Sequence, residues 1–171
     1  PDGSDTETKT NYISVVLPGA TIYVDGTSGN DTNNGLSWAQ AVKTIQKGLD
    51  MVAPSGEVRM MQGVFTLEAS EYYTDLDGEK TMVYWPNKTG ITIVASPGAT
   101  EPVTVDALGL GRVMSVRSTV NLMIEGITIK GGRLNGGNGG AAMFLKEYSN
   151  LWLKNVTVKD CSAEGAEGGA F

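Results

Sequence analysis

The sequence predicts an all-β fold, a parallel β-helix (β-solenoid) closed at its N-terminal end by one capping α-helix. Three observations predict it. The C-terminal third contains an internal repeat, most of the chain consists of short β-branched and aliphatic runs separated by turn residues, and one amphipathic stretch precedes those runs. The repeat carries the most weight. Residues 121 to 142, NLMIEGITIKGGRLNGGNGGAA, lie over residues 150 to 171, NLWLKNVTVKDCSAEGAEGGAF, at a constant offset of 29 without a gap. A period of this length in short strands, with no helix between them, selects a stack of β-coils over helical arrays.

Taken in order, residues 1–11 are polar, hold Asp2, Asp5 and Glu7, and read as a linker or tail. Residues 12–55 read as an N-terminal cap. Ile13 to Leu17 and Ala20 to Val24 are two short strands, and a loop rich in Gly, Asn, Asp, Ser and Thr follows from Asp25 to Gly35. The spacing then predicts a helix over 38–52. Ser37 stands as N-cap with Gln40 three residues on, while Ala41, Val42, Ile45, Leu49 and Val52 form one apolar face. Pro54-Ser55-Gly56 stops it.

Residues 56–171 read as the coils. Strands are expected over 57–67, 82–84, 90–95, 103–105, 113–116, 120–129 and, with breaks, 142–158. Alternation turns Leu122, Ile124, Ile127 and Ile129 inward beneath Leu151, Leu153, Val156 and Val158, at about 4.8 Å per coil. The segment GITIVAS at 90–96 resembles GITIKGG at 126–132 and is read as an earlier copy of the same strand, with the Gly-Gly-Ala runs supplying tight corners. Phe171 aligns with Ala142, so the chain stops within a coil. The expectation is therefore that it forms the N-terminal part of a longer solenoid, or that a second polypeptide pairs with its last coil.

Composition narrows the chemistry. Apolar residues make up 40% of the chain and charged residues 19%, as in a globular body, and 23 glycines and 6 prolines suit a fold of many turns. With no histidine and a single cysteine, Cys161, the usual zinc sites, His-dependent triads and an internal disulfide are excluded. The net charge of −6 argues against nucleic acid or an anionic membrane as partner. No apolar run is long enough for a transmembrane segment, and the chain does not open with a signal peptide, which is presumed removed.

Two groups of residues are candidates for sites. Asp25, Asn30, Asp31, Asn33 and Asn34 offer oxygen ligands within ten residues, as calcium requires, although not at EF-hand spacing; the competing reading is a turn whose Asp and Asn side chains bond to their own backbone. The acidic run Asp75, Asp77 and Glu79 has the same two readings. For a ligand surface, Trp152 points outward beside Met123, and Tyr148, Tyr72, Tyr73, Tyr84 and Trp85 are further aromatic candidates for stacking on sugars. Asp106, Arg112, Arg117 and Glu125 lie in or beside the strands, but Lys154 stands in the second repeat where the first has Glu125, which marks a solvated face. Catalytic residues are left unassigned.

Four segments together resemble bacterial right-handed parallel β-helix proteins of the polymorphic outer membrane protein and autotransporter-passenger type, with a pectate-lyase-like superfamily fold. They are YVDGTSGNDTNNGLSWAQAVKTIQKGLD (23 to 50), VTVDALGLGRVMSV (103 to 116), NLMIEGITIKGG (121 to 132) and the glycine runs ending GGAA and GGAF. The resemblance implies a right-handed coil, secretion, an extracellular or bacterial cell-surface location, and a turn role for Asp106, the strand-ending aspartate before GRV. The expected function is an adhesive, binding or structural module whose partner is a polysaccharide or a host or cell-surface ligand. The alternative is the N-terminal part of a polysaccharide lyase or glycoside hydrolase, because one solenoid carries many functions.

Overall fold

The structure is a computed structural model of the chain, and it describes residues 17–66, 72–75, 77–85, 87–117, 121–146, 148–165 and 169–171. The expected tail at 1–11 and most of the strand at 13–17 lie outside the described residues, as do Leu67 and Val120. The protein is predominantly β with one α-helix. Its elements in chain order are β1 (Thr21–Val24), a 3₁₀ turn (Trp38–Gln40), α1 (Ile45–Met51), β2 (Glu57–Met60), β3 (Gly63–Thr66), β4 (Tyr73–Thr74), β5 (Lys80–Trp85), β6 (Thr92–Ala95), β7 (Val103–Asp106) and β8 (Arg112–Arg117). There follow β9 (Leu122–Glu125), β10 (Ile127–Lys130), β11 (Arg133–Asn135), β12 (Met143–Lys146), β13 (Leu151–Lys154), β14 (Thr157–Lys159) and β15 (Ser162–Glu164).

These strands build open sheets, and no barrel closes among the described residues. One sheet has the order β1-β2-β6-β9-β13, a second β3-β7-β10-β14, a third β4-β5-β8-β12, and β11 pairs with β15. Among the described residues every strand pairing is parallel except that of β4 with β5. Parallel neighbours this short, none of them consecutive in the chain apart from β1 and β2, mean that the chain visits each sheet in turn and returns one strand further along.

The repeat sets the register of the last layer. Met143 lies beside Met114, Leu151 beside Leu122, Thr157 beside Thr128 and Ser162 beside Arg133, all at the offset of 29. Corners repeat as well. Gly126, Gly131 and Gly136 have φ of 73°, 69° and 86°, and the residues one period on, Asn155, Asp160 and Gly165, have 53°, 54° and 68°. Asn and Asp replace glycine there because their short polar side chains tolerate the left-handed region best. The Gly-Gly-Ala runs act differently: they stack backbone on backbone, Ala141 and Ala142 donating to the carbonyls of Gly169 and Ala170 at 2.9 and 3.0 Å. A Cβ on Gly140 would lie 2.4 Å from the Ala170 carbonyl oxygen.

GITIVAS does not stack on GITIKGG. Ile93 of β6 lies beside Ile124 of β9, and β10 stacks on β7 with Ile127 beside Val103. The two segments are successive strand positions of a layer rather than copies of one. The same β-branched alternation suits either position, and the turns decide which is taken.

The helix is also shorter than its apolar pattern predicts. Ala41 and Val42 belong to no helix: Val42 makes a parallel bridge to Val24, its amide donating to the Tyr23 carbonyl at 3.0 Å. Ser37 makes no side-chain capping bond. The N-cap is Thr44, whose hydroxyl accepts from the Lys47 amide at 3.1 Å. From there α1 buries Ile45, Gln46, Gly48 and Leu49 against β1, β2 and β5. Gly48 costs helix propensity but allows the close approach, since a Cβ there would meet Val24 Cγ2 at 2.7 Å. At the other end Lys88 Nζ donates to the carbonyls of Leu49, Asp50 and Val52 at 2.7 to 2.8 Å. Burial holds its pKa below the usual 10.5, against the opposing pull of Asp50.

One core runs through all layers, from Ile22 and Val24 through Val58, Met60, Ile93, Val105, Met114 and Val116 to Leu122, Ile124, Ile127 and Ile129. Burial fades in the last layer, where Leu151, Val156 and Val158 are half-buried and Leu153 is 40% exposed. Of the eight residues expected to be buried, Leu122, Ile124 and Ile129 lie in register beside Leu151, Leu153 and Val158 as predicted, but only the first four of the eight are enclosed. Replacing Ile129 by Ala is expected to cost about 2–5 kcal/mol, as for a fully enclosed aliphatic, and Val158→Ala about 1 kcal/mol or less. Urea unfolding of the two variants checks the contrast.

Candidate functional site

The loop read as a calcium candidate is held together by its own side chains. Asp25 Oδ1 accepts from the amides of Thr27 and Ser28 at 2.9 and 3.0 Å, Asn30 Oδ1 from the amide and hydroxyl of Thr32, and Asn34 Oδ1 from the Leu36 amide. Asn33 donates its amide to the Ala41 carbonyl. Asp31 reaches further. Its Oδ1 accepts from the amides of Lys43 and Thr44 at 2.7 and 2.9 Å, and its Oδ2 from the Thr44 hydroxyl at 2.9 Å. These side chains make the turn bonds of the competing reading, and among the described residues no three His, Cys, Asp or Glu side chains are grouped to hold a metal. What the loop accomplishes is to clasp the start of α1.

The second acidic run is tied to later layers. Asp75 is buried and pairs with Arg112, whose guanidinium also donates to the carbonyls of Gly140 and Asn138 and lies 4.6 Å from the centre of the Phe144 ring. Asp75 Oδ1 meanwhile accepts from the amides of Asp77 and Glu79. Asp77 pairs with Lys146 at 2.6 Å. Arg112 is wholly buried, and so every polar arm of the pair must be satisfied within the protein. Removing one partner leaves the other charge buried: Asp75→Ala and Arg112→Ala are each expected to destabilise by about 3–5 kcal/mol, while a double Asp75→Leu, Arg112→Met variant loses much less. Thermal unfolding of the three proteins checks it.

On the outward strand faces charge is balanced locally. Glu57 pairs with Arg59 at 2.6 Å, Asp106 with Lys130 at 3.0 Å, Glu125 with Lys154 at 2.8 Å and Glu164 with Arg133 at 3.6 Å. Asp106 also accepts from the Leu108 amide at 2.9 Å, the turn bond expected of a strand-ending aspartate. Of the aromatic candidates, Trp152 is 53% exposed and lies beside Met123 in register, and Tyr148 is almost wholly exposed in the turn before β13. Trp85 is not a surface residue at all. It is fully buried, and its Nε1 has no partner among the described residues.

A cleft that the sequence did not disclose lies where the loop before α1, β3 and the β4–β5 hairpin meet. Its volume is about 430 Å³, within the range of small-ligand sites. Of its lining, buried Phe65 and half-buried Met82 supply the apolar floor, and exposed Tyr72, Tyr73, Lys43 and Thr66 the rim. The Tyr72-Tyr73 pair was the available signal, but the elements facing it are distant in sequence. Lys80 Nζ sits 4.2 Å from the centre of the Tyr72 ring.

Cys161 is half-buried, its thiol directed to the Lys159 carbonyl at 3.3 Å. Burial is the main cause that raises its pKa, with smaller contributions from Asp160 and Asp106, against the opposing backbone bond of Gly132. Thiolate is thus scarcer than in a free cysteine at neutral pH. Alkylation by iodoacetamide at pH 7.5 is expected to be slower than that of glutathione and to rise towards it only in alkaline buffer.

No protein-family model matches the chain, and no curated protein matches its sequence. Its fold is similar to that of a solved rhamnogalacturonan lyase, with a TM-score of 0.69 and 20% identity over 88% of this chain and 38% of that one. The chain thus corresponds to well under half the length of that protein.

Proposed function

We propose that the chain is a right-handed parallel β-helix module, extracellular or displayed on a bacterial surface, that binds polysaccharide without cleaving it. The observation that carries this reading is the pairing of charges: each carboxylate on the described strands, Glu57, Asp106, Glu125 and Glu164, faces a Lys or Arg. Hydrolysis of a glycosidic bond ordinarily uses two carboxyl groups addressed to that bond, and lysis a carboxylate-held calcium with a Lys or Arg base, whereas on these strands the carboxylates are engaged with the basic groups. Ladders of neutralised pairs instead make a rigid outward surface. The in-register sheets and the fold likeness support the coil, and the coil's length beyond these residues, in this chain or a partner, belongs to the same proposal.

The second reading, the N-terminal part of a polysaccharide lyase or glycoside hydrolase, draws its support from the likeness to the rhamnogalacturonan lyase. Incubation with a panel of polysaccharides, with and without calcium, separates the two. Retardation in gels containing polysaccharide, without new reducing ends or unsaturated uronate, is the expected result; products would establish the second reading.

A further inference from the structure

We infer that the cleft between Lys43 and the Tyr72-Tyr73 pair is the seat of the glycan, and that the sugar it takes is neutral; this rests on the polysaccharide-binding reading above. The cleft combines the two surfaces that a pyranose ring presents. Its floor, Phe65 and Met82, and the tyrosine rings are apolar, as the C–H face of a sugar requires. Its rim carries exposed polar groups, the Lys43 ammonium and the hydroxyls of Thr66 and Tyr72. Such groups, few and fixed above an apolar floor, orient a hydroxylated ligand.

The rim is also pre-organised. Asp31 holds the amides of Lys43 and Thr44 and the Thr44 hydroxyl, so that the segment bearing Lys43 is pinned to the start of α1. Opposite it, β4 is fixed by pairing Tyr73 with Thr81 of β5. A ligand entering the cleft has little backbone left to order, which favours affinity.

Charge selects a neutral sugar. Asp31 and Lys43 carry opposite signs within the same cleft, and Lys80 is engaged on the Tyr72 ring. The chain as a whole carries −6, which repels a polyanion at long range. Of the two lysines at the cleft one is matched by Asp31, and the single charge left over does not offset that repulsion. The cleft wall β3 is the edge of the sheet β3-β7-β10-β14, whose outward column runs Val64, Thr104, Thr128, Thr157 in register. A neutral polymer held in the cleft can therefore continue along a hydroxyl-bearing face.

Calorimetric titration of the full chain with neutral hexaoses of glucose, mannose and galactose, and with oligogalacturonate of the same length, tests the inference. At least one neutral hexaose is expected to bind, and oligogalacturonate at least about tenfold more weakly. Tyr73→Ala should weaken that binding about fivefold. The exposed-site variants Lys43→Met and Thr66→Val, which leave the fold intact by circular dichroism, should each weaken it about threefold. Trp152→Ala should leave it unchanged. If Trp152→Ala abolishes binding and the three cleft variants do not, the cleft is not the seat although polysaccharide binding stands. Tighter binding of oligogalacturonate overturns the neutral class, and failure of every glycan to bind the unaltered chain overturns the binding reading and the inference together.

Discussion

Strands of four residues have almost no stability by themselves, and here each acquires it by lying in register on the strand before it. The column of side chains that results puts Ile93 beside Ile124 and Leu122 beside Leu151, and fits larger beside smaller elsewhere, as with Trp85 and Val116. A slip of one residue would turn the whole set to solvent. Register must therefore be fixed at the corners, and the left-handed positions Gly126/Asn155 and Gly131/Asp160 recur at the same interval as the column itself. Corner and column specify each other.

The ends of such a stack are physically unlike each other. At the first layers α1 covers β1 and β2, with Gly48 pressed against Val24 and Val58 and Lys88 collecting the helix's last carbonyls. At the last layer Leu153 and Trp152 stand about half in water. Between them, polar cross-links carry information that an aliphatic column lacks. The buried Arg112–Asp75 pair ties the β4–β5 loop to the segment carrying Asn138 and Gly140, and a pair of this kind contributes less to stability than to making one arrangement of the loops the satisfied one.

What could be read from the sequence was whatever the chain repeats. The offset of 29 predicted two strand pairings to the residue, β9 with β13 and β10 with β14, and alternation predicted which side chains of β9 and β10 are enclosed. What misled was local pattern taken without its tertiary setting. Ala41 and Val42 fit a helical stripe, yet Val42 finds a better partner in the edge of β1. GITIVAS fits GITIKGG because both are alternating β-branched runs, and nothing within seven residues says which sheet they enter. β11 and β15 went unseen because RLN and SAE bury little apolar surface and are held by backbone pairing to each other. Arg112 was not connected with the acidic run of Asp75 because 37 residues separate them. The cleft was hidden for the same reason, its walls coming from three separated parts of the chain.

That distinction bears on where function can reside. The outward columns inherit the regularity of the repeat: each position is occupied by a residue chosen as much for its neighbours above and below as for solvent, and charges placed there are drawn into pairs such as Glu125–Lys154. A pair neutralised by its own ladder has little to offer a ligand, since binding must first compete with the partner already present. The repeat is interrupted near the cap, where the loop before α1 and the β4–β5 hairpin fit no period. There the loop before α1 stacks on no strand at Lys43, and its exposed ammonium shares the cleft with Phe65 and Met82. In a stack of this kind recognition chemistry is expected where the repeat breaks, and the regular part serves to hold that break rigid.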